Sequence, residues 1–116
     1  MSIPAPATSP AEQQLYDQIV RRIVEATDPE RIILFGSRAR RDHQPDSDLD
    51  LFIEMESELR PSERGRAIRS LFRPRRWPMD VFVYTPAEVA RSSGVNGTLV
   101  SIVEREGTVL YERPAV

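Results

Sequence analysis

The sequence predicts an α/β fold: a small mixed β-sheet flanked by helices. Three observations predict it. Segments with a helical apolar period alternate with short continuous apolar runs along the chain. Gly, Pro and Asp-Pro breaks separate these segments, with no long linker and no internal repeat. The 116 residues are the length of one domain, enough to bury a single modest core. One domain is expected over residues 11–116, preceded by a tail over 1–10 whose Pro, Ala and Ser content favours disorder.

In the first helix, over residues 11–26, Leu15, Tyr16, Ile19, Val20, Ile23 and Val24 form one apolar stripe. Asp28-Pro29 ends it, because a residue before proline avoids the helical region. The run Ile32-Ile33-Leu34-Phe35 reads as a buried strand, broken at once by Gly36. Ser37 is placed to cap a short helix reaching about Arg40. Asp46 to Asp50 leads into a second strand, Leu51-Phe52-Ile53. Pro61 opens a helix with Ala67, Ile68, Leu71 and Phe72 on one face, and Pro74 closes it. Met79 to Tyr84 is a third strand. Thr85-Pro86-Ala87-Glu88 has the pattern of a capping box, starting a helix that ends at Ser92-Ser93-Gly94. A last helix carries Leu99, Ile102 and Val103 and stops at Gly107, and Val109 to Tyr111 adds an edge strand.

Composition removes several function classes. There is no cysteine, so disulfides and thiolate metal sites are excluded, and a cytoplasmic location is expected. No apolar run approaches the ~20 residues of a membrane helix, and residues 1–10 lack the pattern of a secretory signal. The net charge of −2 argues against a whole-molecule electrostatic grip on nucleic acid. All sixteen basic residues are Arg, which rules out a lysine nucleophile or a P-loop lysine.

The chemistry-bearing candidates are acids. Asp48 and Asp50 stand two apart, so on a strand their side chains leave one face. Two neighbouring carboxylates repel, and a hard divalent cation relieves that repulsion by binding both. Asp80 interrupts the apolar run Met79-Asp80-Val81-Phe82-Val83, where a charge is costly unless paired or metal-bound. The bland alternatives are a solvated loop for Asp48 and Asp50, and a salt bridge from Asp80 to Arg75 or Arg76. Gly36 behind a buried strand lets a ligand approach the backbone, and the amides that start the Ser37 helix suit a phosphate. The alternative is a plain turn and cap. Arg38 and Arg40 can face a triphosphate or simply solvent.

The combination is more specific than its parts. Leu34-Phe35-Gly36-Ser37-Arg38-Ala39-Arg40, then Pro45-Asp46-Ser47-Asp48-Leu49-Asp50-Leu51, then an apolar-Asp-apolar strand at Asp80, resembles the polymerase-beta-like nucleotidyltransferase superfamily. Within it the chain resembles the minimal nucleotidyltransferase (MNT) group, over about residues 11–112. Arg41 departs from that group, which commonly has Gly there.

The resemblance implies a polymerase-beta-like fold and a metal-dependent enzyme that moves a nucleoside monophosphate, AMP from ATP, to an acceptor hydroxyl. It implies Asp48, Asp50 and Asp80 as catalytic metal ligands for Mg²⁺, with two ions. It implies Gly36 and Ser37, with Arg38 and Arg40, as the nucleotide-binding set for ATP or another NTP. Larger relatives complete the acceptor site with a second domain, for which this length leaves no room, so the acceptor is expected from elsewhere. In this group that partner is frequently a HEPN-type toxin, which implies a toxin–antitoxin system, a hetero-oligomer and adenylylation of the toxin. Two other readings stand beside it: a binding module that neutralises its partner by contact alone, and, less favoured, an enzyme extending an RNA end. The arginines 60, 64, 66, 69, 73, 75 and 76 would serve the latter as an anion-facing surface, or else form a solvated helix face. His43, in a polar loop, is read as incidental, and Phe82 and Tyr84, on a strand, as packing and not as ligand contacts.

Overall fold

A computed structural model describes residues 9–73 and 78–115. Helix α1 spans Pro10–Thr27 and buries Tyr16, Ile19 and Ile23. Ser9 caps it by accepting from the Glu12 amide at 3.1 Å. Ser9 and Pro10 thus belong to the fold and not to a tail; residues 1–8 lie outside the described residues. The helix ends at Asp28, which takes a left-handed φ of 50°, a conformation that Asp tolerates better than most residues.

The sheet has four strands: β1 (Arg31–Phe35), β2 (Leu49–Glu54), β3 (Met79–Tyr84) and β4 (Thr108–Glu112), in the order β3-β2-β1-β4. β1 is antiparallel to both β2 and β4, whereas β2 and β3 run parallel, so the sheet is mixed as expected. The parallel pair requires a crossover. Helix α3 (Pro61–Arg69) supplies it and lies against β3, where a Cβ on Gly65 would stand 2.7 Å from the Val81 carbonyl oxygen.

Strand alternation sends side chains to two faces. On one, Ile32, Leu34, Leu49, Leu51, Ile53, Met79, Val81 and Val83 pack with Tyr16, Ile19 and Ile23 of α1 and Ile68 of α3. On the other, Ile33 and Phe52 pack with Val89 of α4 (Pro86–Ser92) and Val100 and Val103 of α5 (Leu99–Glu106). β2 is buried on both faces, and burying that apolar area is the main stabilising contribution, at roughly 25 cal/mol per Å². Tyr84 closes the second core against Phe52, with ring centroids 5.1 Å apart. No helix among the described residues is long and apolar enough to cross a membrane.

Several local expectations are corrected. β2 begins at Leu49, so it contains Asp50, and Asp48 lies just ahead of it. The N-cap of α2 (Ser37–Arg40) is Gly36, and Ser37 makes no capping hydrogen bond. Ala67 is exposed; α3 buries Arg64 and Ile68 instead, while Leu71 and Phe72 follow its end, half-buried. In α5, Val100 takes the buried place beside Val103 that the sequence reading gave to Ile102. The closing role read for Pro74 falls outside the described residues.

Candidate active site

The sheet register places the acids. In the parallel ladder Asp50 stands directly opposite Asp80, one pair before Leu51 and Val81. Both belong to the face that carries Phe52, near the start of β2 and β3. Asp48, one residue before β2, is exposed, as is Asp80, while Asp50 is half-buried. The sheet therefore brings two of the three acids together and leaves the third at its rim.

On its other side Asp50 is the register partner of Phe35, the last residue of β1. Gly36 follows with φ 73° and sits against the Asp50 carboxylate. A Cβ there would run into Asp50 Oδ2 and stand 3.1 Å from its Cγ. Glycine is thus required twice, for the left-handed backbone and for the room that Asp50 occupies.

Burial pushes the Asp50 carboxyl above the usual carboxylate range, and the charges of Asp80 and Asp48 push it further, against an opposing pull from Arg40. No hydrogen bond from the described residues satisfies the Asp48, Asp50 or Asp80 carboxylates. Arg75 and Arg76, the partners weighed for Asp80, lie outside the described residues. Hard oxygen donors crowded by like charge and lacking hydrogen-bond partners fit a hard divalent cation. Among the described residues no three His, Cys, Asp or Glu side chains are already gathered as a metal cage, so the fit rests on the Asp50–Asp80 pair with Asp48 beside it.

The four residues of the expected nucleotide-binding set separate. Gly36 and Ser37 form the uncapped start of α2 next to Asp50. Arg40 is exposed, near Asp50, and makes an open ion pair with Asp42 at 3.2 Å. Arg38, by contrast, is only 6% exposed. Its Nε and Nη2 donate to the Ser47 carbonyl at 3.2 and 3.1 Å, and Nη2 donates to the Pro45 carbonyl at 3.1 Å. The guanidinium also stands by the Tyr16 phenol. Burial raises the Tyr16 pKa despite that neighbouring cation, and the Tyr16 hydroxyl donates to Glu12 Oε2 at 3.3 Å.

Sequence reasoning missed two features. His43 is not incidental to the fold: its Nε2 lies 3.3 Å from Glu12 Oε2. Arg64, one of the seven clustered arginines, is 8% exposed and donates to Glu88 Oε1 at 2.6 Å and to the Leu59 and Val83 carbonyls. Its position four residues before Ile68 was the available signal, since that spacing puts both on one helix face. Phe82 packs as the sequence reading had it, with its ring 5.7 Å from that of Phe35, while staying 39% exposed.

The site is thus a pair of acids facing each other near the start of two parallel strands, with a third at the rim and a glycine against one of them. Comparison with known proteins decides the family. Residues 17–113 match the model of the nucleotidyltransferase domain. The chain belongs to this family. Two solved structures share the nucleotidyltransferase fold. One is a Sulfolobus solfataricus protein provisionally described as a nucleotidyltransferase, 22% identical, with a TM-score of 0.61 over 87% of this chain and 80% of that one. The other comes from a toxin–antitoxin structure determined with AMP-PNP, 19% identical, with a TM-score of 0.63 over 84% of this chain and 73% of that one. At these identities the likeness concerns the fold. No match is found among curated proteins. The four-stranded sheet, the Gly36 turn and the acid-bearing strands of this nucleotidyltransferase domain all fall within the matched segment.

Proposed function

We propose that this nucleotidyltransferase domain transfers AMP from ATP, with Mg²⁺, to a hydroxyl on a partner protein, and that it acts as an antitoxin. The observation that carries the reading is the Asp50–Asp80 pairing across β2 and β3, with Gly36 against one carboxylate and Asp48 at the rim. The antitoxin part draws on the neighbouring toxin–antitoxin structure, whose AMP-PNP is an ATP analogue.

Asp48, Asp50 and Asp80 would hold the metal, two ions in all. When bound, it supplies charge stabilisation at the attacking and departing oxygens. The chain's own residues do the rest. Gly36 leaves room for the Asp50 carboxylate and brings the first amides of α2 beside it. Arg40, exposed next to Asp50, offers a cation to the triphosphate. The acceptor oxygen would form a bond to the α-phosphorus as the bond to pyrophosphate breaks, with Asp80 ligating the metal that activates the hydroxyl or taking its proton. Asp48 and Asp80 are exposed, and such an open shelf admits a hydroxyl carried on a macromolecule, here a HEPN-type toxin.

The test is transfer of label from α-labelled ATP, with Mg²⁺, to proteins of a source-cell lysate, comparing wild type with Asp48→Ala. A labelled band with wild type alone supports the transferase and identifies its acceptor. No band with either, while both capture the same partner, overturns catalysis in favour of neutralisation by contact.

A further inference from the structure

We propose that Arg38 is a positioning residue: a buried clamp that fixes the loop delivering Asp48 to the site and ties that loop to the first turns of α1. It rests on the reading above for the role of Asp48, but the clamp itself stands on geometry. An arginine in a Gly-Ser-Arg turn next to crowded acids invites assignment as a triphosphate ligand. Its burial and hydrogen bonds point elsewhere.

Arg38 is 6% exposed, and its Nε and Nη2 are engaged with the carbonyls of Ser47 and Pro45. Two donors converge on one carbonyl and one of them reaches a second, which a planar guanidinium can do and an ammonium cannot. Ser47 is the residue immediately before Asp48. Fixing the Ser47 carbonyl fixes one end of the peptide that leads into Asp48, while Leu49, fully buried in β2, fixes the other side. The loop needs this support, since Gln44, Pro45 and Asp46 are exposed and lie outside helix or strand. Its own internal bonds are short-range: the Gln44 amide donates to Ser47 Oγ at 2.8 Å and the Ser47 amide donates to the Gln44 carbonyl at 3.0 Å. Those bonds shape the turn without attaching it to the domain.

The clamp has a second layer. Tyr16 of α1 is buried beside the Arg38 guanidinium, and its hydroxyl donates to Glu12 Oε2, which also faces His43 Nε2 at 3.3 Å. Arg38, Glu12, His43 and Pro45 line one concavity between α1 and the loop. The Ser47 and Pro45 carbonyl oxygens occupy the Nε and Nη2 donors, so these donors are committed to the loop and not to a triphosphate.

The experiment compares wild type, Arg38→Met, Arg38→Lys and Ser47→Ala, the last loosening the turn without leaving a cavity in the core. Amide hydrogen exchange of residues 42–49 reads the loop, Mn²⁺ affinity followed by its paramagnetic resonance reads the acid site, and ATP titration at saturating Mn²⁺ reads the triphosphate. The clamp predicts faster exchange in 42–49 with Arg38→Met and a Mn²⁺ affinity at least ten times weaker. Arg38→Lys falls between, and ATP affinity at saturating Mn²⁺ shifts less than threefold. Ser47→Ala should speed loop exchange in the same direction. Unchanged loop exchange and Mn²⁺ affinity in Arg38→Met, with ATP affinity lost, would overturn the clamp and make Arg38 a triphosphate ligand. If wild type binds no Mn²⁺ while Arg38→Met still frees the loop, the clamp is supported and the metal-dependent reading fails instead.

Discussion

At the scale of single residues, the site is a conflict that the fold holds in place. Asp50 is pressed by burial, Asp80 and Asp48, so the folded chain keeps its proton to higher pH than the unfolded chain does. The stability linked to this group is therefore complete below the ordinary carboxylate range, about pH 4, and is lost as pH rises through the raised value. Asp50→Asn, which mimics the protonated acid, should then melt above wild type at neutral pH in the metal-free protein. The gap should close near pH 4, and transfer should be abolished. Melting curves across pH 4–8 check this, and an equal gap at every pH would show that Asp50 is not under charge strain. Gly36 has the opposite character, a small residue whose replacement is costly. Gly36→Ala forces a Cβ into the Asp50 carboxylate at φ 73°. A stability loss of about 1–2 kcal/mol is expected from the backbone strain alone. Displacement of Asp50 should cut transfer at least tenfold, on the scale that misplaced catalytic groups cost. A denaturant melt and a label-transfer rate on the same sample measure both.

At the scale of elements, α3 and α4 are joined through one buried arginine. Arg64 on α3 donates to Glu88 Oε1 at 2.6 Å, while the same carboxylate accepts from the Thr85 amide at 2.8 Å and completes the capping box of α4. The Thr85 backbone bond, more than Arg64, holds the Glu88 carboxyl below the usual range. That contribution is present at neutral pH and is lost as pH falls through the lowered value. Arg64→Leu leaves the Leu59 and Val83 carbonyls short of a donor and should cost about 2–3 kcal/mol, by equilibrium denaturation. Thr85→Ala removes only the cap and should cost about 1 kcal/mol. These joints mark the limit of what the sequence made legible. Strands and helices were readable because β1 and β2 are apolar runs ended by Gly36 or polar residues, and because Pro61, Pro86 and Gly107 punctuate the helices. The pairing of Asp50 with Asp80 was implicit in two neighbouring acid-bearing strands, although their register was not. Arg38 was not legible, since its burial depends on carbonyls of another segment, here Ser47, whereas for Arg64 only the helical spacing to Ile68 gave a signal and its partner Val83 did not. The Ser9 cap was overlooked because a Pro- and Ser-rich stretch reads as tail, although Ser9-Pro10-Ala11-Glu12 carries the start signal.

At the scale of the whole molecule, the acid site lies at the rim of the sheet, with half-buried Asp50 between exposed Asp48 and Asp80. The concavities beside α1 are lined by Leu15, Ile19 and Phe72 in one case and by Glu12, Arg38 and His43 in the other, away from Asp50 and Asp80. Carboxylates that crowd one another with like charge gain ligand affinity from charge, so metal and triphosphate should bind interdependently. Each relieves what the other leaves unbalanced: the acids repel one another without a cation, and the triphosphate meets the acids' negative charge without one. The measurable consequence is thermal. With Mg²⁺ and a non-hydrolysable ATP analogue at about one hundred times Kd, ligand linkage adds about 2.7 kcal/mol to the folded state. For a domain of this size that raises Tm by on the order of 10 °C. Either ligand alone should give a much smaller shift, EDTA should abolish it, and Asp48→Ala should lose most of it while starting from a similar Tm. A full shift in Asp48→Ala, or with the analogue in EDTA, would mean that the nucleotide is held without the acids. The crowded carboxylates would then be a remnant on a surface whose work is to grip a partner.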